Sequence, residues 1–422
     1  MPDKIKNIQA KEILTSGGTP TVEVTVELEN GDKAKASVPF GVSAGVHEAL
    51  TLVDGDEKRY HGQGMLKACK NINNIIAPKL LGMDVLKQKK IDKTMIDLDG
   101  TPNKKKLGGN SILAVSLACA RAGAQSKGKE LFQYIRDTYK LPFKEYHLPK
   151  PMMVVMEGGK HADNSTDFQE YLYSVSGAPS IREAVRWGEE TYHTLKKVLK
   201  AAGMNTNVGN EGAFAPPGIE SNEKPLEMMV EAITKAGYKP GKDIMISLDP
   251  ATSEVYDKDQ KKYVLSQEGT GLTSDQMIGL FNDWISKYPI LSIEDGLAED
   301  DWAGWQEFYK KVGDKIIIIG DDLTVTNKER VRQAIKHKAI NGVLIKLNQI
   351  GSLTETVETI MLGHEHKFWN VVSHRGGGET NDTFMIDLAA AVNAEYVKVG
   401  PSRGERTSKY NRLMEIEDII KK

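Results

Sequence analysis

Asp249, Glu294 and Asp321 each follow a short apolar, β-branched run: Ile244 to Leu248, Ile290 to Ile293 and Ile316 to Gly320. Three carboxylates brought to one place repel one another unless a cation lies between them. Oxygen-only ligands favour a hard ion, and Mg²⁺ fits that requirement. Any one of the three alone reads more simply as a loop or helix cap; three in register do not. Lys346 ends the next run, Gly342-Val343-Leu344-Ile345. Desolvation and a neighbouring cation would lower its pKa and make it a base. A salt-bridged structural lysine is the plainer alternative. Carboxylates holding Mg²⁺ beside a lysine base suit removal of a proton next to a carboxylate, with the metal stabilising the charge that forms.

Other polar residues could serve the same mouth. His374-Arg375 is followed by Gly376-Gly377-Gly378. An arginine beside backbone N–H groups makes a phosphate site, although a glycine run alone is only a flexible loop. Lys398 ends the run Tyr396-Val397 and offers a second cation; alone it reads as a surface lysine. His161 lies in the loop Gly158 to His161, where a histidine is ordinarily just solvated. Glu170, after Gln169 in an expected strand, needs a partner or a cavity. Glu211 sits in the glycine-bracketed segment Val208 to Pro216, which fits a functional loop better than a helix.

The elements that must position these side chains recur with a period. Glu294, Asp321, Lys346, His374 and Lys398 follow one another at intervals of 27, 25, 28 and 24 residues. That is the length of a strand–helix unit. Polar residues at the C-terminal ends of consecutive parallel strands are the catalytic positions of a (β/α)8 barrel. Two earlier strands, Met152 to Met156 and Phe168 to Ser174, are separated by only 11 residues. A parallel crossover with a helix needs more, so this pair is expected to be antiparallel. Helical stretches over Ile181 to Ala202 and Glu223 to Ala236 follow. The expected fold is therefore α/β: an eight-stranded TIM-like barrel with an irregular ββαα start.

Before the barrel, Thr21 to Leu28 alternates as a half-buried strand does, Asn30-Gly31 marks a hairpin turn, and Ala34 to Val38 returns. From about Gly64 to Ala124 the pattern is helical, with Asn110 a candidate N-cap for Ser111 to Ala124. Pro142, Pro149 and Pro151 crowd the next boundary, so a junction is expected near residue 145. This divides the chain into an N-terminal α+β domain, 1–145, and a barrel, 146–422.

Composition removes several function classes. The 422 residues carry a net charge of −2, which leaves no basic field for nucleic acid or an anionic membrane. No run approaches the ~20 apolar residues that span a bilayer, and the first ten residues have no apolar leader core. The two cysteines, Cys69 and Cys119, read as reduced core residues. A cytoplasmic location is the expectation.

Several segments together resemble the enolase family: Ser292-Ile293-Glu294-Asp295, Gly320-Asp321-Asp322-Leu323, Ile345 to Gly351, Ser373-His374-Arg375 and Lys409-Tyr410-Asn411. Pro20 to Val24 and Gly45 to Leu50 match as well, so the resemblance spans roughly residues 7 to 417. It implies an α+β cap over the barrel mouth, Mg²⁺, usually a homodimer, and reversible dehydration of 2-phosphoglycerate to phosphoenolpyruvate. By the same resemblance Lys346 is the base at C2, and Glu211, assisted by Glu170, is the acid at the departing hydroxyl. Asp249, Glu294 and Asp321 hold the first metal. Gln169, His161, Arg375 and Lys398 contact the anionic groups, with His374 near the hydroxyl end and Gly376 at the phosphate.

The resemblance also shows departures. Phe40 stands where the family has a metal-binding serine, with Ser43 nearby; its phenyl group is expected over the substrate. Ser16-Gly17-Gly18-Thr19 lacks the family's arginine near its subunit contact. Glu157 replaces an asparagine, and Asn210 an aspartate. The triple glycine carries one extra residue and lacks a phosphate-binding serine. A related phosphono or phospho acid as substrate, or a non-catalytic binding protein on the same fold, are the alternatives.

Overall fold

A computed structural model describes residues 3–41 and 47–421. Ser43 and the Gly45-Val46 start of the matching segment lie outside them. Strands β1 (Ile5–Leu14), β2 (Pro20–Leu28) and β3 (Lys33–Ser37) form an antiparallel meander. Val22, Val24, Val26 and Leu28 are fully buried on one face of β2, as strict alternation requires. The helix Gly109–Ser126 packs across β2 and β3. It starts earlier than its expected cap. Gly108, at φ +96°, precedes the helix, and Asn110 lies inside it. The Asn110 side chain instead accepts the Leu52 N–H at 3.0 Å and donates to the Leu52 carbonyl at 3.2 Å, so it ties down a neighbouring loop.

Residues β4 (Lys150–Glu157), β5 (Glu170–Ser174) and β6 (Met245–Asp249) begin the barrel. A small antiparallel sheet of β7 (Tyr256–Asp257), β8 (Lys262–Leu265) and β9 (Thr270–Leu272) interrupts it. Then come β10 (Ile290–Glu294), β11 (Ile317–Gly320), β12 (Gly342–Ile345), β13 (Trp369–Ser373) and β14 (Tyr396–Val399). The eight barrel strands close in the order β4-β5-β6-β10-β11-β12-β13-β14. As the short connection requires, β4 and β5 are antiparallel; so are β5 and β6, and the remaining pairs, including the closing one, are parallel. The helices Ile181–Ala201 and Lys224–Lys235 fill the irregular start.

Inside the barrel, Met152, Val154, Leu172, Ile317, Ile319, Leu344 and Val371 form their own buried cluster, separate from the helix-facing core. This apolar plug floors the mouth, so the polar strand ends above it stand on a dry, rigid base.

Cap and barrel are joined by directed contacts. Arg121 pairs with Asp382 at 2.7 Å, and Asp382 also accepts the Ser37 N–H. The Ser16 N–H donates to the Glu379 carbonyl and the Phe40 N–H to the Gly378 carbonyl, both at 2.8 Å. Cys69 and Cys119 are free and buried. Among the described residues no helix is long and apolar enough to cross a membrane.

Candidate active site

Nine residues singled out in the sequence line one small pocket at the barrel mouth: His161, Gln169, Glu170, Glu211, Lys346, His374, Arg375, Gly376 and Lys398. They come from six places in the chain. The strand register explains part of this convergence. Glu157 faces Glu170 across β4–β5, and Glu170 faces Asp249 across β5–β6, so three carboxyls stand at one level on adjacent strands. Lys398 lies within β14, not after it, beside Ser373 on β13 and Met152 on β4.

Asp249, Glu294 and Asp321 are not among the residues that line the cavity, and the structure divides them. Lys398 Nζ sits 2.7 Å from Asp249, 2.8 Å from Glu294 and 2.9 Å from Glu170. Burial alone would lower its pKa, but the three carboxylates raise it well above the ordinary lysine value. Asp321 is paired instead with Lys346, and accepts a 2.7 Å hydrogen bond from Gln349 Nε2. Lys398, expected on the substrate, is thus also a counter-ion within the carboxylate group. Lys346 differs from its expected state for the same reason: burial would lower its pKa, but Asp321 outweighs burial and raises it. A carboxylate in contact stabilises the ammonium more than desolvation penalises it.

Every donor atom of Asp249, Glu294 and Asp321 is a carboxylate oxygen, which suits a hard divalent cation, and Asp249 and Glu294 already enclose one positive charge. Among the described residues, the all-carboxylate set whose oxygens lie within 4.8 Å of one another is Asp295, Asp321 and Asp322, not this one. Burial and the Asp249 charge push the Glu294 pKa well above the usual carboxylate range.

The groups around Glu211 handle protons. Glu211 rides on a tight loop: the Gly209 N–H donates to the Ala213 carbonyl, Tyr192 donates to the Gly212 carbonyl, and Arg406 donates to the Asn210 carbonyl. Glu157 clamps this loop from below, its carboxyl accepting the N–H groups of Glu211 and Ala213 at 3.1 and 3.0 Å. Burial and the Glu211 charge push Glu157 up to about 9. The same two causes push Glu170 up to about 8. Burial would raise Glu211 too, but His374, His161 and Lys398 hold it well below the usual range. His161, buried in a 3₁₀ turn rather than solvated, lies 3.4 Å from Glu211, and burial lowers its pKa. His161 Nδ1 and Glu211 Oε2 have no aligned hydrogen bond among the described residues and are held by ion-pair contacts, to Glu211 Oε1 and His374 Nε2.

Arg375 is fully buried and forms two 2.9 Å hydrogen bonds to Glu48 of the cap. The glycines beside it are there for space. A Cβ at Gly376 would overlap the Glu211 carboxylate, and one at Gly378 would overlap the Phe40 carbonyl. Gly17 lies against Gly377 in the same way, so the Ser16-Gly17-Gly18 turn, which lacks the family's arginine, meets the glycine loop of its own chain. Phe40 does not cover the cavity: its ring packs, partly buried, against the main core.

Several residues without a marked local pattern complete the site. Asp295, at φ +43°, accepts the N–H groups of Asp321 and Asp322 at 3.0 and 2.9 Å and so orients the Asp321 turn. A second carboxylate directly after a strand-ending one is the signal that marks it. Glu379 contacts His374, Arg406 and Lys409, all buried. Only its place four residues after Arg375 points to it.

Comparison with known proteins agrees with this architecture from both ends of the chain. The model for the enolase N-terminal domain matches residues 5–135, and the model for the enolase C-terminal TIM barrel domain matches residues 145–422. With a closed barrel, an acidic mouth and both domains matched, the chain belongs to the enolase family.

Proposed function

We propose that this chain is a Mg²⁺-dependent lyase that reversibly dehydrates 2-phosphoglycerate to phosphoenolpyruvate. The observation that carries the reading is a cavity that brings together a lysine, Lys346, the Glu211–His374 pair and the cations Arg375 and Lys398. Removal of a C2 proton and loss of a C3 hydroxyl need a base and an acid at one substrate.

Lys346 accepts the C2 proton once Asp321 no longer holds its ammonium. Glu211 delivers a proton to the departing hydroxyl, assisted by Glu170, whose pKa burial and the Glu211 charge raise. Arg375, Lys398, Gln169 and His161 bind and orient the anionic groups, and the glycine loop lets backbone approach the phosphate. Asp249, Glu294 and Asp321 would hold Mg²⁺. When bound, that ion supplies positive charge beside the substrate carboxylate, where negative charge builds up as the C2 proton leaves.

The remodelled phosphate surround favours one second reading: a lyase acting on a related phosphono or phospho acid. Arg375 is engaged by Glu48, and Gly376-Gly377-Gly378 offers no hydroxyl. Comparison of kcat/KM across a panel of 2-phospho and phosphono hydroxy acids tests the substrate. 2-Phosphoglycerate is expected to rank first; a better member of the panel would overturn the assignment.

Two further outcomes follow. Chelation of divalent ions is expected to abolish turnover and Mg²⁺ to restore it. Asp249→Asn or Glu294→Gln should raise the Mg²⁺ needed for half-maximal rate by about tenfold or more, as loss of one charged ligand implies. Gly376→Ala should displace the Glu211 carboxylate and lower kcat by about 10²-fold, the usual cost of a misplaced catalytic group, with little change in melting temperature.

A further inference from the structure

His374 is the centre of a buried chain of charges. Its Nε2 lies 3.2 Å from Glu211 Oε2, and its Nδ1 lies 2.8 Å from Glu379 Oε1. Glu379 is in turn 3.0 Å from both Arg406 Nε and Lys409 Nζ. These are ion pairs rather than aligned hydrogen bonds. The five side chains are almost fully buried: none exceeds 5% exposure. Other charges facing the histidine are Lys398, whose carbonyl accepts the His374 N–H at 3.0 Å, Arg375 next in the chain, and His161 across Glu211.

Resting on the dehydration reading above, we propose that Glu379 is a positioning residue that keeps His374 an imidazolium, so that the His374–Glu211 pair stores the proton taken by the departing hydroxyl. The balance is simple. The pair holds one proton, written as imidazolium and carboxylate or as imidazole and carboxylic acid. As the C3–O bond breaks, its electron pair stays on oxygen, which takes that proton and leaves as water. The electron pair freed at C2 by Lys346 forms the C2=C3 bond. Neutral imidazole and carboxylate remain, and solvent restores the proton after product leaves.

The supporting electrostatics have a clear sign. Burial would lower the His374 pKa, but Glu379 and Glu211 raise it to about 9. Burial would likewise raise Glu379, but His374 and Lys409 hold it down at about 2. His374 is therefore charged across the neutral range and loses its proton only as pH rises through its raised value. Arg406 and Lys409 keep Glu379 from taking that proton itself.

The test is the pH profile of Glu379→Gln. The alkaline limb of dehydration is expected to move from about 9 toward the ordinary histidine value of 6.5. Exchange of the C2 proton with solvent, which Lys346 performs, should keep its wild-type rate, and Glu379→Asp should return the limb toward its original position. An unmoved limb in a folded Glu379→Gln protein overturns the proposal. If that variant does not fold, NMR titration of the wild-type His374 ring decides, with the signal assigned by its loss in His374→Gln. A midpoint near 9 supports the relay, and one at or below 6.5 overturns it. The titration needs no turnover, so it stands apart from failure of the dehydration reading.

Discussion

Lys346→Ala is expected to lower turnover of 2-phosphoglycerate by about 10³-fold or more, within the range general acid–base groups contribute. Exchange of the C2 proton should fall with it, because both need the same base. The fold should survive. The Lys346 backbone N–H donates to Thr326 Oγ1 at 2.9 Å, a bond the substitution leaves in place. The Asp321 carboxylate keeps its hydrogen bond from Gln349 Nε2, and the Asp321 and Asp322 N–H groups still donate to Asp295. Removing one partner of a buried ion pair is costly, so melting temperature should drop more in metal-free buffer than with Mg²⁺. Lys346→Arg should not rescue the rate, because a guanidinium does not deprotonate at these pH values. Circular dichroism and steady-state rates on the same samples check all of this. A wild-type rate in Lys346→Ala would mean that another group takes the C2 proton.

Glu211→Gln is the second large effect, and it separates the two halves of the reaction. Gln is nearly isosteric, and the Glu157 clamp binds the backbone N–H, so the loop should stay in place. Dehydration is expected to fall by about 10²–10⁴-fold, since an amide delivers no proton. C2 exchange should continue, because Lys346, paired with Asp321 rather than Glu211, is left unchanged. His374 would also lose one of its two carboxylates, so its pKa should fall from about 9 toward 6.5. Equal loss of exchange and dehydration would place Glu211 in the first proton transfer and contradict the assignment.

Much of this site was legible because catalytic residues of a barrel sit at strand ends. The runs before Asp249, Glu294, Asp321 and Lys346 are short and apolar, each is followed by a polar residue, and from Glu294 onward they are evenly spaced. The glycines around Glu211 marked its loop for the same local reason. What was not legible depends on contacts across the closed barrel. Lys398 reaches Asp249 and Glu294 only because β14 closes onto β4 two strands from β6, and no local pattern encodes that distance. The pairing of Lys346 with Asp321 likewise requires neighbouring strand ends to meet in three dimensions. Strand β1 escaped the alternation pattern because its register shifts between Ile5 and Asn7, which breaks the period of two. Strands β7 to β9 are two to four residues long, too short for any period to register. Asn110 has a good capping side chain, but Leu52 competes for it and wins.

The most direct measurement is steady-state turnover of 2-phosphoglycerate with Mg²⁺, followed by the ultraviolet absorbance of the enol product. Robust, chelator-sensitive turnover is the expected result, and it would mean that Phe40, Glu157 and the triple glycine are changes the chemistry tolerates. A folded protein that binds Mg²⁺ and leaves 2-phosphoglycerate untouched would contradict the proposed reaction.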